Sequence, residues 1–217
     1  MKTVTGLLIL ANVAAFALEA AVRKPLVAAF ALWPPGRYFV PDLHAVVGFR
    51  PWQVVTYAFL HANVTHLLLN MWALSIFGRD VERVLGGRRF LVLYLAAVLS
   101  AAGAQLTVVS LAPAAPPYPT VGASGGVFGV LLAFAIFYPR RIVMLVFPPI
   151  PMPAWLFVTV YGLVELASGV LGTAAGVAHF AHLGGMLGAY VVLQRWRRGV
   201  GDSSRRSTPD SDGTTRS

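Results

Sequence analysis

The residues most able to do chemistry are one serine and two histidine-containing segments that lie far from it in sequence. Ser124 lies in Gly-Ala-Ser-Gly-Gly-Val-Phe-Gly at 122–129, where a long apolar run begins. It could be only a helix N-cap, whose oxygen accepts a bond from an early helical N–H. The segments Gly-Val-Ala-His-Phe-Ala-His-Leu-Gly-Gly at 176–185 and His-Ala-Asn-Val-Thr-His-Leu-Leu-Leu-Asn at 61–70 favour a second interpretation. In it, Ser124 is a nucleophile and His182 is the base that takes its proton, which is the minimum for an activated hydroxyl.

His66 and Asn70 are candidates for the hydrogen-bond donors that such a reaction needs. They are four residues apart, so both side chains leave one face of a helix. Their N–H groups could stabilise the oxyanion that forms when Ser124 attacks a carbonyl, and one such donor is worth about 10²–10³ in rate. An ordinary hydrogen-bonded pair between two helices is the alternative interpretation.

The means of orienting His182 is less evident. We expect no carboxylate at the depth of Ser124, because Glu165 is predicted near the middle of its helix and Glu19 lies on the first helix. Packing would then hold the imidazole and turnover would be slow, since a soluble triad that loses its Asp drops about 10⁴ in turnover. Phe128, one turn after Ser124, could stack on His182 or could be simply a core aromatic.

Composition places these residues in a membrane protein. Of the 217 residues, 57% are hydrophobic and 12% are charged, and the mean hydropathy is +0.71. A soluble domain of this size could not cover so much apolar surface. The absence of cysteine excludes disulfides and Cys-ligated metals. The net charge of +9 comes from arginines that flank apolar runs and fill a tail, a pattern typical of membrane topology and not of nucleic-acid binding.

The apolar runs predict an all-α bundle of six membrane-spanning helices, in a membrane domain that covers residues 1–198. The predicted spans are residues 4–22, 65–77, 90–111, 124–138, 154–171 and 177–194, the second extending upstream through 58–60. Residues 23–57 should form a long outer connector in the headgroup region. Residues 199–217 should form a disordered cytoplasmic tail, because their composition cannot build a core.

The first span has two interpretations. A basic start followed by an apolar run also fits a cleaved signal peptide. The run is long for a signal peptide and no polar domain follows it, so we favour a retained span. Asn12 and Glu19, seven residues apart, should face other helices and not lipid.

Basic residues indicate the orientation. With six spans both termini lie on one side, which carries 13 of the 17 Lys and Arg residues, whereas the other side carries 4. Because cytoplasmic segments are enriched in Lys and Arg, both termini are predicted to be cytoplasmic. The second, fourth and sixth spans then begin on the outer side, which brings His66, Asn70, Ser124 and His182 into the outer third of the bilayer. Such polar groups should converge on a water-reachable cavity.

Small residues predict which helices meet. Gly125 and Gly129 form a small face just below Ser124, and Gly185 with the alanine four residues later forms another below His182. Small faces allow helix backbones to approach closely, although most such patterns serve packing alone. If these two faces pack together, the serine and the histidine lie side by side.

Together these residues resemble the rhomboid family of intramembrane serine proteases, in its six-span bacterial form. The motifs, which extend over residues 52–189, are Gly122-Ala123-Ser124-Gly125, Ala181-His182-Leu183-Gly184-Gly185, His66-Leu-Leu-Leu-Asn70 and Gly78-Arg-Asp-Val-Glu82-Arg-Val-Leu-Gly86. The combination is highly specific, although each motif alone is weak.

The resemblance implies a Ser124–His182 dyad that hydrolyses peptide bonds in or near the transmembrane helices of other membrane proteins, without metal or cofactor. It also implies an oxyanion hole of His66, Asn70 and the Ser124 N–H, supporting roles for Gly122, Gly125, Phe128 and Gly185, and a structural role for Glu82. The expected partners are transmembrane substrates and the lipid bilayer, not nucleic acid, and the expected location is the bacterial cytoplasmic membrane.

Two departures from the family pattern have consequences. The aromatic at position 128 is often Tyr in rhomboids, so any role of its hydroxyl is lost with Phe128. Related proteins have Trp-Arg in the first loop, whereas this chain has Trp52-Gln53, which leaves the anchoring of that loop open.

Two other functions remain as alternatives. A binding or chaperone-like member of the superfamily usually lacks the serine or the histidine, and this chain has both. A metal or haem site could use His61, His66, His179 and His182. That site would leave Ser124 unexplained, and no His-Glu-x-x-His motif of a metalloprotease occurs. The sequence assigns no role to His61 or His179, and it identifies neither the substrates nor the oligomeric state.

Overall fold

The computed structural model describes residues 3–111, 117–144, 149–172 and 178–206, with side chains as far as residue 198. The helices are α1 (Val4–Phe30), α2 (Gln53–Thr56), α3 (Val64–Ala73), α4 (Arg79–Leu85), α5 (Gly87–Leu111), α6 (Ser124–Phe137), α7 (Ala154–Leu171) and α8 (His179–Arg206). The strands are β1 (Tyr38–Val40), β2 (Ala45–Val47), β3 (Ile142–Met144) and β4 (Pro151–Pro153).

Several helices have the length and composition of membrane spans. Among the described residues, α1, α5 and α7 are long and apolar enough to cross a membrane, and α6 is a shorter apolar helix. Helices suit this environment because all their backbone hydrogen bonds are made within the segment. The fold is therefore a helical membrane bundle, as the composition predicted, while the count of six spans stays a prediction.

The C-terminal end of α1 differs from the prediction. The helix does not end at residue 22 but continues to Phe30, with a break at Val22 (φ −137°, ψ 50°) and Pro25 within it. The prediction ended the span at the change to basic residues, Arg23 and Lys24, but a helix can continue through such residues and bend at a proline without ending. Asn12 and Glu19 are 0% and 1% exposed, which confirms that they face other helices.

The connector after α1 contains the first of two small antiparallel sheets. Strands β1 and β2 pair across a 3₁₀ turn, and β3 pairs with β4 in the proline-rich link before α7. The prediction of an all-α fold is therefore wrong in these two places. Three-residue strands leave too short an alternating pattern to be distinguished from loop in a sequence.

Gln53 anchors this connector, which the sequence had left open. Its side chain is fully buried and accepts bonds from the backbone N–H groups of Trp33 and Arg50. Its amide nitrogen lies 3.3 Å from the carbonyl oxygens of Ala29 and Gly48, to which it donates. One neutral amide thus joins the end of α1 to both sides of the hairpin.

The second predicted span is divided. Residues 58 and 59 belong to a separate 3₁₀ turn, Tyr57–Phe59, which ends because Leu60 is extended. The Asn63 side chain then caps α3 by accepting from the His66 N–H at 2.9 Å. The helix then passes through a π-turn, Leu74–Gly78, into α4.

The core of the bundle is formed by α5, α6 and α8. Added Cβ atoms on Gly126, Gly129 and Gly188 would lie within 2.4–2.6 Å of atoms of α5, so these helices are separated by little more than their backbones. Helix α7 packs on α6 and α8 at the edge of this core.

The last helix extends past its predicted end. α8 runs to Arg206, into the segment predicted to be disordered, because adding a residue to an existing helix needs no new nucleation. Residues 207–217 lie outside the described residues, and the prediction of a disordered tail is untested there. Residue 178, predicted to belong to the sixth span, precedes the helix, and residue 177 lies outside the described residues.

Candidate active site

The hydroxyl of Ser124 meets the imidazole of His182. Ser124 is the first residue of α6 and His182 lies in the first turn of α8. The His182 Nε2 is 2.8 Å from the Ser124 Oγ, a full hydrogen bond. The two residues predicted as nucleophile and base are therefore in contact.

Close approach of α6 and α8 makes this contact possible. A Cβ on Gly185 would lie 2.0 Å from the carbonyl oxygen of Gly125, and a Cβ on Gly129 would lie 2.9 Å from the carbonyl oxygen of Gly185. At positions 129 and 185, only the hydrogen of a glycine fits in place of a side chain. The predicted packing of the two small faces is confirmed, and it sets the separation of Ser124 and His182.

An aromatic ring holds the imidazole. The rings of Phe128 and His182 are stacked, with centroids 4.2 Å apart and planes 4° apart. Both side chains are buried. The predicted stacking is confirmed, and it restricts rotation of the imidazole about the axis that points Nε2 toward Ser124.

His66 lies on the opposite side of Ser124. A Cβ on Gly122 would lie 2.8 Å from the His66 Nε2 and 3.6 Å from the Ser124 Oγ, and Gly122 has φ +129°. Position 122 therefore requires glycine both for its backbone and for the space that the imidazole fills. The His66 Nδ1 accepts from the Ala62 N–H, with 3.5 Å between the two nitrogens, which leaves Nε2 as the protonated nitrogen.

Two further donors converge here. The N–H of Ser124 is among the first N–H groups of α6, which lack partners within the helix and carry its positive end. The Asn70 amide nitrogen donates one hydrogen to the His66 carbonyl oxygen at 3.0 Å, and it has a second. Ser124, His66 and Asn70 thus contribute N–H donors to the wall of one cavity.

The loop before Ser124 is joined by backbone hydrogen bonds to the segments that follow α1 and α2. Gly122 donates its N–H to the Tyr57 carbonyl oxygen at 2.9 Å, and Thr120 forms an antiparallel bridge with Leu32. The Tyr57 hydroxyl donates to the Val98 carbonyl oxygen on α5. These bonds fix the loop that places the serine.

A cavity of about 730 Å³ opens onto these groups. Its lining includes Ser124, His182, His66 and Asn70, so four residues predicted to share one depth share one cavity. Apolar and aromatic side chains form much of the remaining wall, among them Trp72. In the described part of the chain, no group of three or more His, Asp or Glu side chains is arranged as metal ligands.

One acidic residue of the site was missed. The prediction that no carboxylate lies at this depth is wrong, because Glu165 Oε2 is 3.0 Å from the Nδ1 of His182. The same oxygen is 2.7 Å from the Nδ1 of His179. Glu165 lies in the C-terminal half of α7, and α8 begins only at His179, so the carboxylate and the imidazole lie at the same height in the bundle. The sequence did contain a signal for this residue: a glutamate within an apolar run costs free energy in a membrane and is therefore a candidate for a functional site.

Another histidine, His61, is fully buried beside His66. Their ring centroids are 5.1 Å apart in an edge-on arrangement. The His61 backbone N–H donates to Glu19 Oε2 at 3.0 Å. His61 therefore backs the wall of the cavity that His66 lines.

Glu82 lies at the end of the bundle away from Ser124 and outside the predicted spans. It accepts bonds from the Val4 N–H at 2.7 Å, the Thr5 N–H at 2.9 Å and the Thr5 hydroxyl at 2.6 Å. Burial raises the pKa of the Glu82 carboxyl, but these hydrogen bonds outweigh burial and hold the pKa below its usual value. Glu82 thus joins α4 to the start of α1.

The fold and the site define a class: a helical integral membrane protein in which a serine and a histidine from two tightly packed helices meet in an internal cavity. The rhomboid domain model matches residues 48–196. The chain belongs to the rhomboid family.

Relatives occur in bacteria and in eukaryotic organelles. The chain is 34% identical over 152 residues to Rhomboid protein 1, mitochondrial, of Saccharomyces cerevisiae, covering 66% of this chain and 41% of that protein. It is 40% identical over 80 residues to the rhomboid protease GluP of Bacillus subtilis, covering 37% of this chain and 14% of that protein. It is 37% identical over 90 residues to the putative rhomboid protease YdcA of Bacillus subtilis, covering 40% of this chain and 42% of that protein. The chain thus spans less than half the length of these relatives.

Proposed function

We propose that this protein is an intramembrane serine endopeptidase that hydrolyses peptide bonds in or near the transmembrane helices of other membrane proteins. The observation that carries the proposal is the 2.8 Å contact between the Ser124 Oγ and the His182 Nε2 within a cavity. Membership of the rhomboid family, with relatives described as rhomboid proteases, supports the same activity.

The contacts around Ser124 suggest a role for each group. Its Oγ attacks the scissile carbonyl while its proton passes to the Nε2 of His182. The resulting oxyanion accepts bonds from the Ser124 N–H, the His66 Nε2–H and the Asn70 amide. His182 returns the proton to the leaving amine as the C–N bond breaks. A water molecule then hydrolyses the acyl-enzyme, again with His182 as base.

The glycines and Phe128 are supporting residues in this scheme. Gly122 leaves room for His66, Gly125 and Gly185 allow α6 and α8 to approach, and Phe128 orients the imidazole. Glu82 is a structural residue at the other end of the bundle. No metal or cofactor enters the proposed reaction.

The membrane placement follows from the same proposal. We place both termini on the cytoplasmic side of a six-span domain, on the basis of the basic residues. The cavity then faces the outer leaflet, where the end of a substrate helix can enter and unwind. A bacterial cytoplasmic membrane fits this arrangement, although some relatives are mitochondrial.

The test is labelling of detergent-purified protein with a fluorophosphonate, which reacts with activated serines. Wild type should be labelled, and Ser124→Ala and His182→Ala should not, while thermal unfolding of all three stays similar. Matched controls are Ser75→Ala and His44→Asn, which change a serine and a histidine outside the cavity lining. Asn suits the left-handed conformation of position 44.

Unlabelled but folded wild type would refute the proposal and favour a binding protein of the same family. Metal analysis and an absorbance spectrum of the same sample test the histidine-site alternative. Stoichiometric metal or haem together with absent labelling would select that alternative.

A further inference from the structure

A buried carboxylate contacts the side of His182 that faces away from the serine. Glu165, His179 and His182 are 8%, 9% and 9% exposed. The Glu165 Oε2 is 2.7 Å from the His179 Nδ1 and 3.0 Å from the His182 Nδ1. The other ring nitrogen of His182 is the one that contacts Ser124.

This arrangement bears on the tautomer of His182. A neutral imidazole carries one proton, and Nε2 can accept the serine proton only when that one proton is on Nδ1. A carboxylate beside Nδ1 favours this tautomer and balances the positive charge that develops when Nε2 is protonated. The carboxylate stays ionised throughout, and the only proton that moves is the one from Ser124.

The contact with His182 is not an aligned hydrogen bond. The two atoms are 3.0 Å apart, close enough to form an ion pair once the ring is protonated, but the His182 Nδ1 makes no hydrogen bond of good geometry. Phe128 fixes the plane of the ring, so the carboxylate acts through its charge and proximity. The shorter contact with His179 holds the carboxylate in place.

If Glu165 had only a structural role, its contact with His179 would be sufficient. The same Oε2 instead lies between two imidazoles that are three residues apart on one face of α8. A charged residue in a membrane helix costs free energy, so the position of Glu165 beside the proposed base indicates a function there.

We propose that Glu165 is a positioning residue for His182, held in place by His179, so that the site works as a Ser–His pair supported by a carboxylate. This inference rests on the proposed function.

The test compares charge with shape at position 165. Saturation kinetics of fluorophosphonate inactivation would be measured for wild type, Glu165→Gln and Glu165→Asp. Gln matches the shape without the charge, and we expect it to lower the maximal inactivation rate about 10²-fold with little change in the half-saturating concentration. This is less than the roughly 10⁴-fold loss in a soluble triad, because Phe128 also orients the ring. Asp keeps the charge and should be at least about tenfold faster than Gln.

A matched control is Glu19→Gln, which neutralises another buried carboxylate. Glu19 accepts from the His61 backbone N–H, and the Gln oxygen can accept the same bond, so this variant should react within about threefold of wild type. If Glu165→Gln does not unfold cooperatively, His179→Asn replaces it as the test. Removing the group that holds the carboxylate should slow inactivation about tenfold.

The outcomes separate this inference from the proposed function. Unlabelled wild type overturns both. Labelled wild type with folded Glu165→Gln at the same rate overturns only the role of Glu165. An equal loss in Gln and Asp also overturns it, because shape and not charge would then matter.

Discussion

Gly185→Ala is the sharpest test of how the helices create the site. The added methyl group would meet the Gly125 carbonyl oxygen at 2.0 Å and its carbonyl carbon at 2.8 Å. Both are backbone atoms, so no side chain can rotate away. Helices α6 and α8 must therefore separate at this point.

The size of the separation can be worked from these distances. Cβ atoms essentially never approach another heavy atom within 3.0 Å, so the backbones must move apart by about 1 Å or more. Ser124 is next to Gly125, and His182 is one turn before Gly185. If Ser124 and His182 move apart by the same distance as their helices, the 2.8 Å between the Ser124 Oγ and the His182 Nε2 becomes about 3.8 Å. That distance is too long for a hydrogen bond.

The consequence should be larger for reactivity than for stability. Overpacking costs about 1–3 kcal/mol in the free energy of unfolding. A misplacement of about 1 Å in an active site can lower the rate about 10²-fold. We expect fluorophosphonate inactivation of Gly185→Ala to be slower by at least this factor, with a melting temperature several degrees lower.

The matched control is Gly103→Ala. Gly103 lies within α5, and an added Cβ would meet nothing within 4 Å. This variant should react like wild type and melt at the same or a slightly higher temperature, because Ala is the better helix former by about 1 kcal/mol. Wild-type reactivity of Gly185→Ala would refute the idea that close packing of α6 and α8 sets the Ser124–His182 contact.

Two further predictions concern Asn70 and Glu82. Asn70→Ala should slow fluorophosphonate inactivation about 10²-fold, the value of one oxyanion donor, and reactivity as low as that of Ser124→Ala would instead give Asn70 another role. The folded-state pKa of Glu82 lies below its unfolded value of 4.5, so its stabilisation is present above that pH and is lost as pH falls through the folded pKa. Thermal unfolding at pH 7 and pH 3 should therefore show a larger loss of melting temperature in wild type than in Glu82→Gln, and equal losses would contradict the assigned hydrogen bonds.

The contact between Ser124 and His182 could be predicted from sequence because each residue lies in a short motif whose glycines indicate which helix face packs closely. The glycines beside each residue indicate which faces approach, and the structure confirms that they do. Phe128 was predictable for the same reason, since it lies one turn from the serine on one helix face. Such local patterns need no knowledge of the rest of the fold.

The anchoring of the first loop, in contrast, could not be predicted from local sequence. Trp52-Gln53 departs from the family pattern, and the sequence could not say what replaces the usual arginine. Four hydrogen bonds converge on the Gln53 side chain, two with Ala29 in α1 and Trp33 just after it, and two with Gly48 and Arg50 just after the hairpin. They depend on where α1 ends, and α1 continues past the break at Val22.

The sequence by itself determined the membrane class, the family and the residues of the serine–histidine pair, because composition and short motifs encode these directly. Only the tertiary structure decided that Glu165 meets His182. Their contact joins two helices whose relative depth depends on where each begins, and an apolar run does not mark its helix ends to within a turn. A difference of one turn is about 5.4 Å, enough to separate a carboxylate from an imidazole or to bring them together.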